Sequence, residues 1–352
     1  MIAGIFPNGC RIKQLSIGLL SLIVMSSLPA KAFMYSSAET DASSSAADSQ
    51  MEGRSVVLPT RFDDGHVLVR VETPSGDMVE FYTDSGGAML VTLDGAKRLG
   101  LTLSDLPPEL IKQFPPDARS SSVPVFSKTS GIPNLPAGVK IFAVSRLFPA
   151  PGYPNAGDGI LGQAWFAGHI WTWDFPGHQL ILRPEKWHPV AGHEVHIGFK
   201  VDGNGARDNN FPSIDILVDG QTLPMLLDTG AMTIPTPALT KIADGKPGFR
   251  STSFIARSVF ERWHAKHPDW LVIDDAETGS HLRMIRVDQV EIAGLQSGPV
   301  WFTERQDASF HDYMSSITDR RVEGSIGNNA FERVVMTIDY PGGKGWFEIK
   351  HP

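Results

Sequence analysis

The chain has 352 residues, 41% of them hydrophobic, with 34 Gly, 26 Pro and a formal net charge of −8. That composition is globular and long enough for one large domain or two lobes with a substantial core. The acidic balance without a basic block argues against nucleic acid as a partner, and a single cysteine excludes a disulfide framework.

Residues 1–32 read as an export signal. Arg11 and Lys13 form a basic front, Leu15 to Leu28 is an apolar and small-residue run, and Ala30-Lys31-Ala32 has the small-x-small form of a cleavage site. The run is short against the ~20 apolar residues of a membrane span, and an uncleaved anchor is the alternative. Cleavage after Ala32 removes Cys10, the only cysteine, and with it any thiol chemistry. It also removes three basic residues and no acid, leaving 28 Lys and Arg against 39 Asp and Glu, a net charge of −11. Export without disulfides fits a bacterial envelope. The reading is therefore an exported protein, periplasmic or secreted, with no stable membrane contact once the signal is cleaved. Residues 33–53 are rich in Ser, Ala and acids and read as a disordered linker.

From Arg54 onward strands dominate. "HVLVRVE" (66–72) alternates, "PSG" turns, and "MVEFYT" (78–83) returns to Asp84-Ser85-Gly86. "SIDILVDG" (213–220) and "QTLPMLL" (221–227) repeat that order and end at Asp228-Thr229-Gly230. Each acid thus closes a hairpin and opens a tight loop. Downstream, "GILGQAWFAGHIWTWDFPG" from Gly159 and "GSIGNNAFERVVMTIDYPG" from Gly324 align without a gap. They share Gly162/Gly327, Phe166/Phe331 and an Asp-aromatic-Pro-Gly ending. Two matches in the same order indicate a duplicated unit, with lobes at 54–190 and 191–352. The second lobe carries an extra helical candidate at 253–270, with Phe254, Val259, Phe260 and Trp263 as its buried stripe.

These ordered motifs resemble the pepsin and retropepsin aspartic peptidases across nearly all of residues 54–352. The resemblance implies a mainly β, two-lobed pepsin-like acid-protease fold built from a duplicated retropepsin-like unit, with a few short helices. It implies that Asp84 and Asp228 are the catalytic pair. Ser85, Gly86, Thr229 and Gly230 would support their loops, and Ile160-Leu161-Gly162 and Ser325-Ile326-Gly327 would brace them. It implies no cofactor, no metal, a peptide or protein substrate bound extended in the cleft, and a monomer with an internal pseudo-twofold. Chain order places the covering flap at 119–131, with Phe126 over the substrate; an ordinary strand phenylalanine is the alternative.

The chemistry follows from two carboxylates within hydrogen-bond distance, which cannot both ionise cheaply and so share one proton. The ionised oxygen can act as base on a water held between them, while the protonated partner donates to a substrate carbonyl. Thr83 departs from the family pattern in not being apolar, and Gly87 and Ala231 lack the hydroxyl that pepsins place there, where retropepsins carry Ala. Losing that donor raises the pair's proton affinity and predicts an optimum less acidic than a pepsin's. The competing function is a catalytically inactive module that uses the same cleft to bind a peptide or protein. The histidines in "WHPVAGHEVHIGF" (His188, His193, His196) and "HAKH" (His264, His267) lack metal-site spacing and read as surface or packing residues.

Overall fold

The structure, a computed structural model, describes residues 53–350 apart from residues 74, 149–155, 191 and 244. The signal at 1–32 and all but the last residue of the linker at 33–53 lie outside the described residues.

The protein is mainly β and has two lobes. The first is an eight-stranded sheet in the order Thr60–Asp63, His66–Glu72, Met78–Thr83, Gly159–Leu161, Leu90–Thr92, Ile141–Val144, Arg119–Ser121, Leu103–Ser104. The second is a nine-stranded sheet in the order Val272–Ile273, Met284–Val287, Val300–Arg305, Ser253–Ala256, Gly324–Ile326, Gln221–Leu227, Ser213–Val218, Val290–Ile292, Leu295–Ser297. Their central strands correspond one to one. Met78–Thr83 runs parallel to Gly159–Leu161, as Gln221–Leu227 does to Gly324–Ile326. Leu90–Thr92 lies antiparallel to the first of those braces, and Ser253–Ala256 antiparallel to the second. The hairpin ending at Asp228 turns through Asp219 (φ 52°) and Gly220 (φ 74°), the left-handed pair that Asp-Gly supplies with least strain and that matches the twist of its strands.

A six-stranded sheet joins the lobes, in the order Val56–Val57, Gln179–Arg183, Ile170–Asp174, Val334–Asp339, Lys344–Ile349, His193–His196. Three of its strands precede residue 190 and three follow it. At its centre Thr172 lies opposite Thr337, their hydroxyl oxygens 2.7 Å apart. These threonines are equivalent positions of the duplicated segments, so the pseudo-twofold passes between them. The shared Asp-aromatic-Pro-Gly endings are the hairpin turns of this sheet, in which Asp174 and Asp339 each accept the amide of the glycine three residues on, at 2.8 Å. Aromatic residues fill its faces: Trp165, Phe166, Trp171, Trp173, Phe331 and Tyr340 are all fully buried and belong to one apolar core that runs through both lobes.

The helix expected at 253–270 is shorter, Arg257–Lys266, because Ser253–Ala256 is a strand held between Val300–Arg305 and Gly324–Ile326. Val259, Phe260 and Trp263 form its buried stripe, while Phe254 packs from the strand. Nor is this helix the extra element. It follows its strand as Leu93–Arg98 follows Leu90–Thr92. The separation of equivalent residues grows from 144 at Ser85/Thr229 to 165 at Thr172/Thr337. Most of that added length lies between Gly230 and Ser253, where Met232–Thr233 pairs with Arg250–Ser251 around helix Pro237–Ala243.

Candidate active site

Asp84 and Asp228 follow directly on strands Met78–Thr83 and Gln221–Leu227. Their amides are fixed by the braces: Asp84 N–H donates to Leu161 O and Asp228 N–H to Ile326 O, each at 3.0 Å. Both side chains are buried, 2% and 3% exposed, and each accepts the amide of its own glycine, Gly86 to Asp84 Oδ1 at 3.0 Å and Gly230 to Asp228 Oδ1 at 3.1 Å. The two loops face each other. A Cβ built on Gly86 would lie 2.7 Å from Cγ of Asp228, and one on Gly230 would collide with the carboxyl of Asp84. Glycine is needed at both positions because the opposite acid occupies the space of a side chain. The carboxyls are in hydrogen-bond contact across the seam.

Ser85 and Thr229 tie the loops together. Ser85 Oγ donates to Leu227 O at 2.7 Å and accepts the amide of Thr229 at 2.9 Å; Thr229 Oγ1 accepts the amide of Ser85 at 3.0 Å. Two main-chain amides that would be orphaned at the seam are satisfied from the other lobe. Tyr82 adds a further crossing, its hydroxyl donating to Gly230 O at 2.7 Å. Thr83, the departure before the first acid, is fully buried and donates to Val67 O at 2.9 Å, so its polarity is absorbed within its own hairpin.

Among solved structures, the chain is similar to an aspartic proteinase from Irpex lacteus, with a TM-score of 0.43, 10% sequence identity, and an alignment covering 84% of this chain and 98% of that one. No sequence-family model matches the chain, and no curated protein matches it.

Burial sets the electrostatics. Desolvation raises Asp84 well above the usual carboxylate range, and the neighbouring charge of Asp228 raises it further. Asp228 is also raised by desolvation, but less, because Asp84, the amides of Gly230 and Ala231, and Ser325 all favour its charged form. The pair therefore loses its first proton well before its second, and one proton is shared over a wide pH range. His66 lies at the same seam, its ring 5.3 Å from that of Tyr82, and burial pushes it down to about 4, so it is neutral there at neutral pH.

Phe126 does not lie on a flap. It is 2% exposed, packs edge-on against Phe81 with ring centroids 6.0 Å apart, and its amide donates to Asn134 Oδ1 at 2.7 Å. The strand nearest it in sequence, Arg119–Ser121, pairs with Leu103–Ser104 and Ile141–Val144 within the first lobe, and Phe126 lies beyond that pairing in the lobe's core. The histidines also disperse. His193 and His196 are exposed on the edge strand of the shared sheet, and His267 stacks on Trp270 at 4.1 Å while bonding Asp219.

One pair of seam residues escaped the sequence reading. Gln163 and Asn328 each follow the second glycine of the matched segments. Gln163 Oε1 accepts the amide of Asn210 from the other lobe at 2.7 Å. Asn328 Nδ2 donates to Gly65 O across the seam at 2.8 Å and to Thr229 O at 2.7 Å. The signal was present: the alignment puts two buried amides at one equivalent position.

Proposed function

We propose that the protein is an aspartic-type endopeptidase that hydrolyses peptide bonds with water activated between Asp84 and Asp228. The observation that carries this reading is the pair itself. Two buried carboxyls meet in hydrogen-bond contact on equivalent loops, each backed by a glycine amide and locked to the other by Ser85 and Thr229. Such a pair holds one proton and one negative charge, which is what amide hydrolysis needs at a single point. The ionised carboxylate takes a proton from water as its oxygen attacks the carbonyl carbon. The protonated carboxyl gives its proton to the carbonyl oxygen, leaving a neutral tetrahedral diol. In the second half, a diol hydroxyl returns its proton to the carboxylate formed in the first step, the other carboxyl protonates the nitrogen, and the C–N bond breaks. Every proton is returned, and no cofactor or metal enters the scheme. The extended substrate would pair with exposed main chain at the cleft.

The same reading takes the protein to be exported, periplasmic or secreted, and a monomer whose pseudo-twofold is internal. N-terminal sequencing of the mature protein tests cleavage of the signal: a start at Phe33 supports it, and a start at Met1 selects the uncleaved anchor.

Asp84→Asn and Asp228→Asn test the chemistry. Each is expected to abolish cleavage of an unstructured protein substrate by purified enzyme. Unchanged cleavage in either variant means that the reaction happens elsewhere. The alternative is a non-catalytic peptide- or protein-binding module that uses the same cleft. Saturable peptide binding without any cleavage, by the wild type across pH 3–8, would select that reading.

A further inference from the structure

The braces behind the two acids differ in their first residue. Ile160 and Ser325 hold equivalent positions in the matched segments. Ile160 pairs with Tyr82 and Ser325 with Leu226, each two residues ahead of its acid. Ile160 packs in an apolar cluster with Tyr82, Leu90 and Phe142. Ser325 is fully buried, and its hydroxyl has no hydrogen-bond partner in this conformation. A buried hydroxyl left unmade is destabilising where isoleucine serves in the sister lobe, so its presence calls for a use.

The use is visible at the loop. Gly87 and Ala231, three residues past the acids, offer no side-chain donor, and a Cβ at Gly87 would overlap the carboxyl of Asp84. Asp84 is left with the amide of Gly86 as its donor within its own lobe. Asp228 accepts the amide of Gly230, and on the strand that pairs with its own the buried hydroxyl of Ser325 is still unpartnered. The other ionisable groups at this point are Asp84 across the seam, the Tyr82 phenol, and His66 against the Tyr82 ring. Farther along the adjoining strands, Glu80 is held by Arg61 and Glu323 by His311. Apart from Ser325, none of these is a side-chain hydroxyl that could single out Asp228 from within its own lobe.

We propose that Ser325 is a positioning residue: its hydroxyl donates to the ionised carboxylate of Asp228, making Asp228 the general base and Asp84 the carrier of the shared proton. The hydroxyl stands in for the donor missing at Ala231, on one side only, so the pseudo-symmetric pair ionises in a fixed order. The catalytic roles rest on the peptidase reading; the hydrogen bond does not.

The experiment is a carboxyl ¹³C NMR titration of wild type, Ser325→Ala and Ser325→Thr, with pH profiles of kcat/KM alongside. Ser325→Ala is expected to move the first ionisation of the pair upward by about one pH unit, the scale of one hydrogen bond to a charged acceptor. On the acid limb kcat/KM falls about tenfold, with little change at the plateau. Ser325→Thr keeps the hydroxyl and holds the wild-type profile. A purely structural role would lower the melting temperature without moving the titration. The proposal is overturned if Ser325→Ala titrates as the wild type does, or if Ser325→Thr shifts as far as Ser325→Ala. If the wild type cleaves nothing, the peptidase reading fails, and the NMR titration still decides whether Ser325 holds Asp228.

Discussion

Replacing Asp228 with Asn should make the protein more stable at neutral pH while removing the proposed activity. Asp228 is fully buried and raised from an ordinary 3.8 to about 6, with desolvation the largest cause. The sign follows from linkage: a carboxyl harder to ionise in the folded chain than in the unfolded one costs nothing below pH 3.8, where both states are protonated. Stability is then lost as pH rises toward 6 and is at its lowest above it. The two units separating those values correspond to roughly 3 kcal/mol at ~1.4 kcal/mol per unit. For the nearly 300 described residues, an unfolding entropy of about 2 cal/mol/K per residue converts that to roughly 5 °C in Tm. Asn keeps an oxygen to accept the Gly230 amide, bonded at 3.1 Å in the wild type, so the variant loses the charge and little else. The assay is calorimetric melting of wild type and Asp228→Asn from pH 3.5 to 8. The two should nearly coincide at the acid end and separate by about 5 °C above pH 7, with the variant higher. Parallel curves, or a variant less stable at pH 7.5, would refute the claim that the site strains the fold to hold its charge.

Two further outcomes are expected. His66 behaves in the opposite sense. Burial depresses it from 6.5 to about 4, so stability is full above pH 6.5 and falls as pH drops through that interval. His66→Asn should flatten the acid side of the same melting profile, recovering on the order of 3 kcal/mol at pH 4, and a variant that melts in parallel with the wild type counts against it. Phe126→Ala should cost about 3–5 kcal/mol of stability, as removal of a buried ring does, and leave KM for a short peptide unchanged; a large rise in KM at preserved stability would return Phe126 to the cleft.

Much of this arrangement was legible in the chain. The acids could be read because their surroundings are local: an apolar strand, Asp, hydroxyl, Gly, then a brace with its own glycine. Duplication doubled that signal, and Thr172 against Thr337 shows how closely the register is kept. Phe126 misled because a flap is a tertiary relation, and chain order alone cannot tell a strand lying over a cleft from one paired within a lobe. The helix at 257–266 was overextended for a related reason. Ser253–Ala256 has residues that suit either periodicity, and only the neighbouring strands decide between them. Gln163 and Asn328 were missed because an amide after a glycine has no meaning until its partner, 47 residues away for Gln163 and 263 for Asn328, is known. Ser325 was visible only as a polar member of an apolar motif, and its proximity to Asp228 belongs to the folded chain.

The segment that sits between Gly230 and Ser253 has no counterpart before residue 190. A polypeptide has direction, from amino to carboxyl end, whereas a perfectly twofold groove would accept either orientation with equal energy. An insertion on one bank alone abolishes that indifference. It gives the protein a left and a right: through Phe249 the insertion meets Phe148 of the other half, and the seam has unlike walls on its two sides.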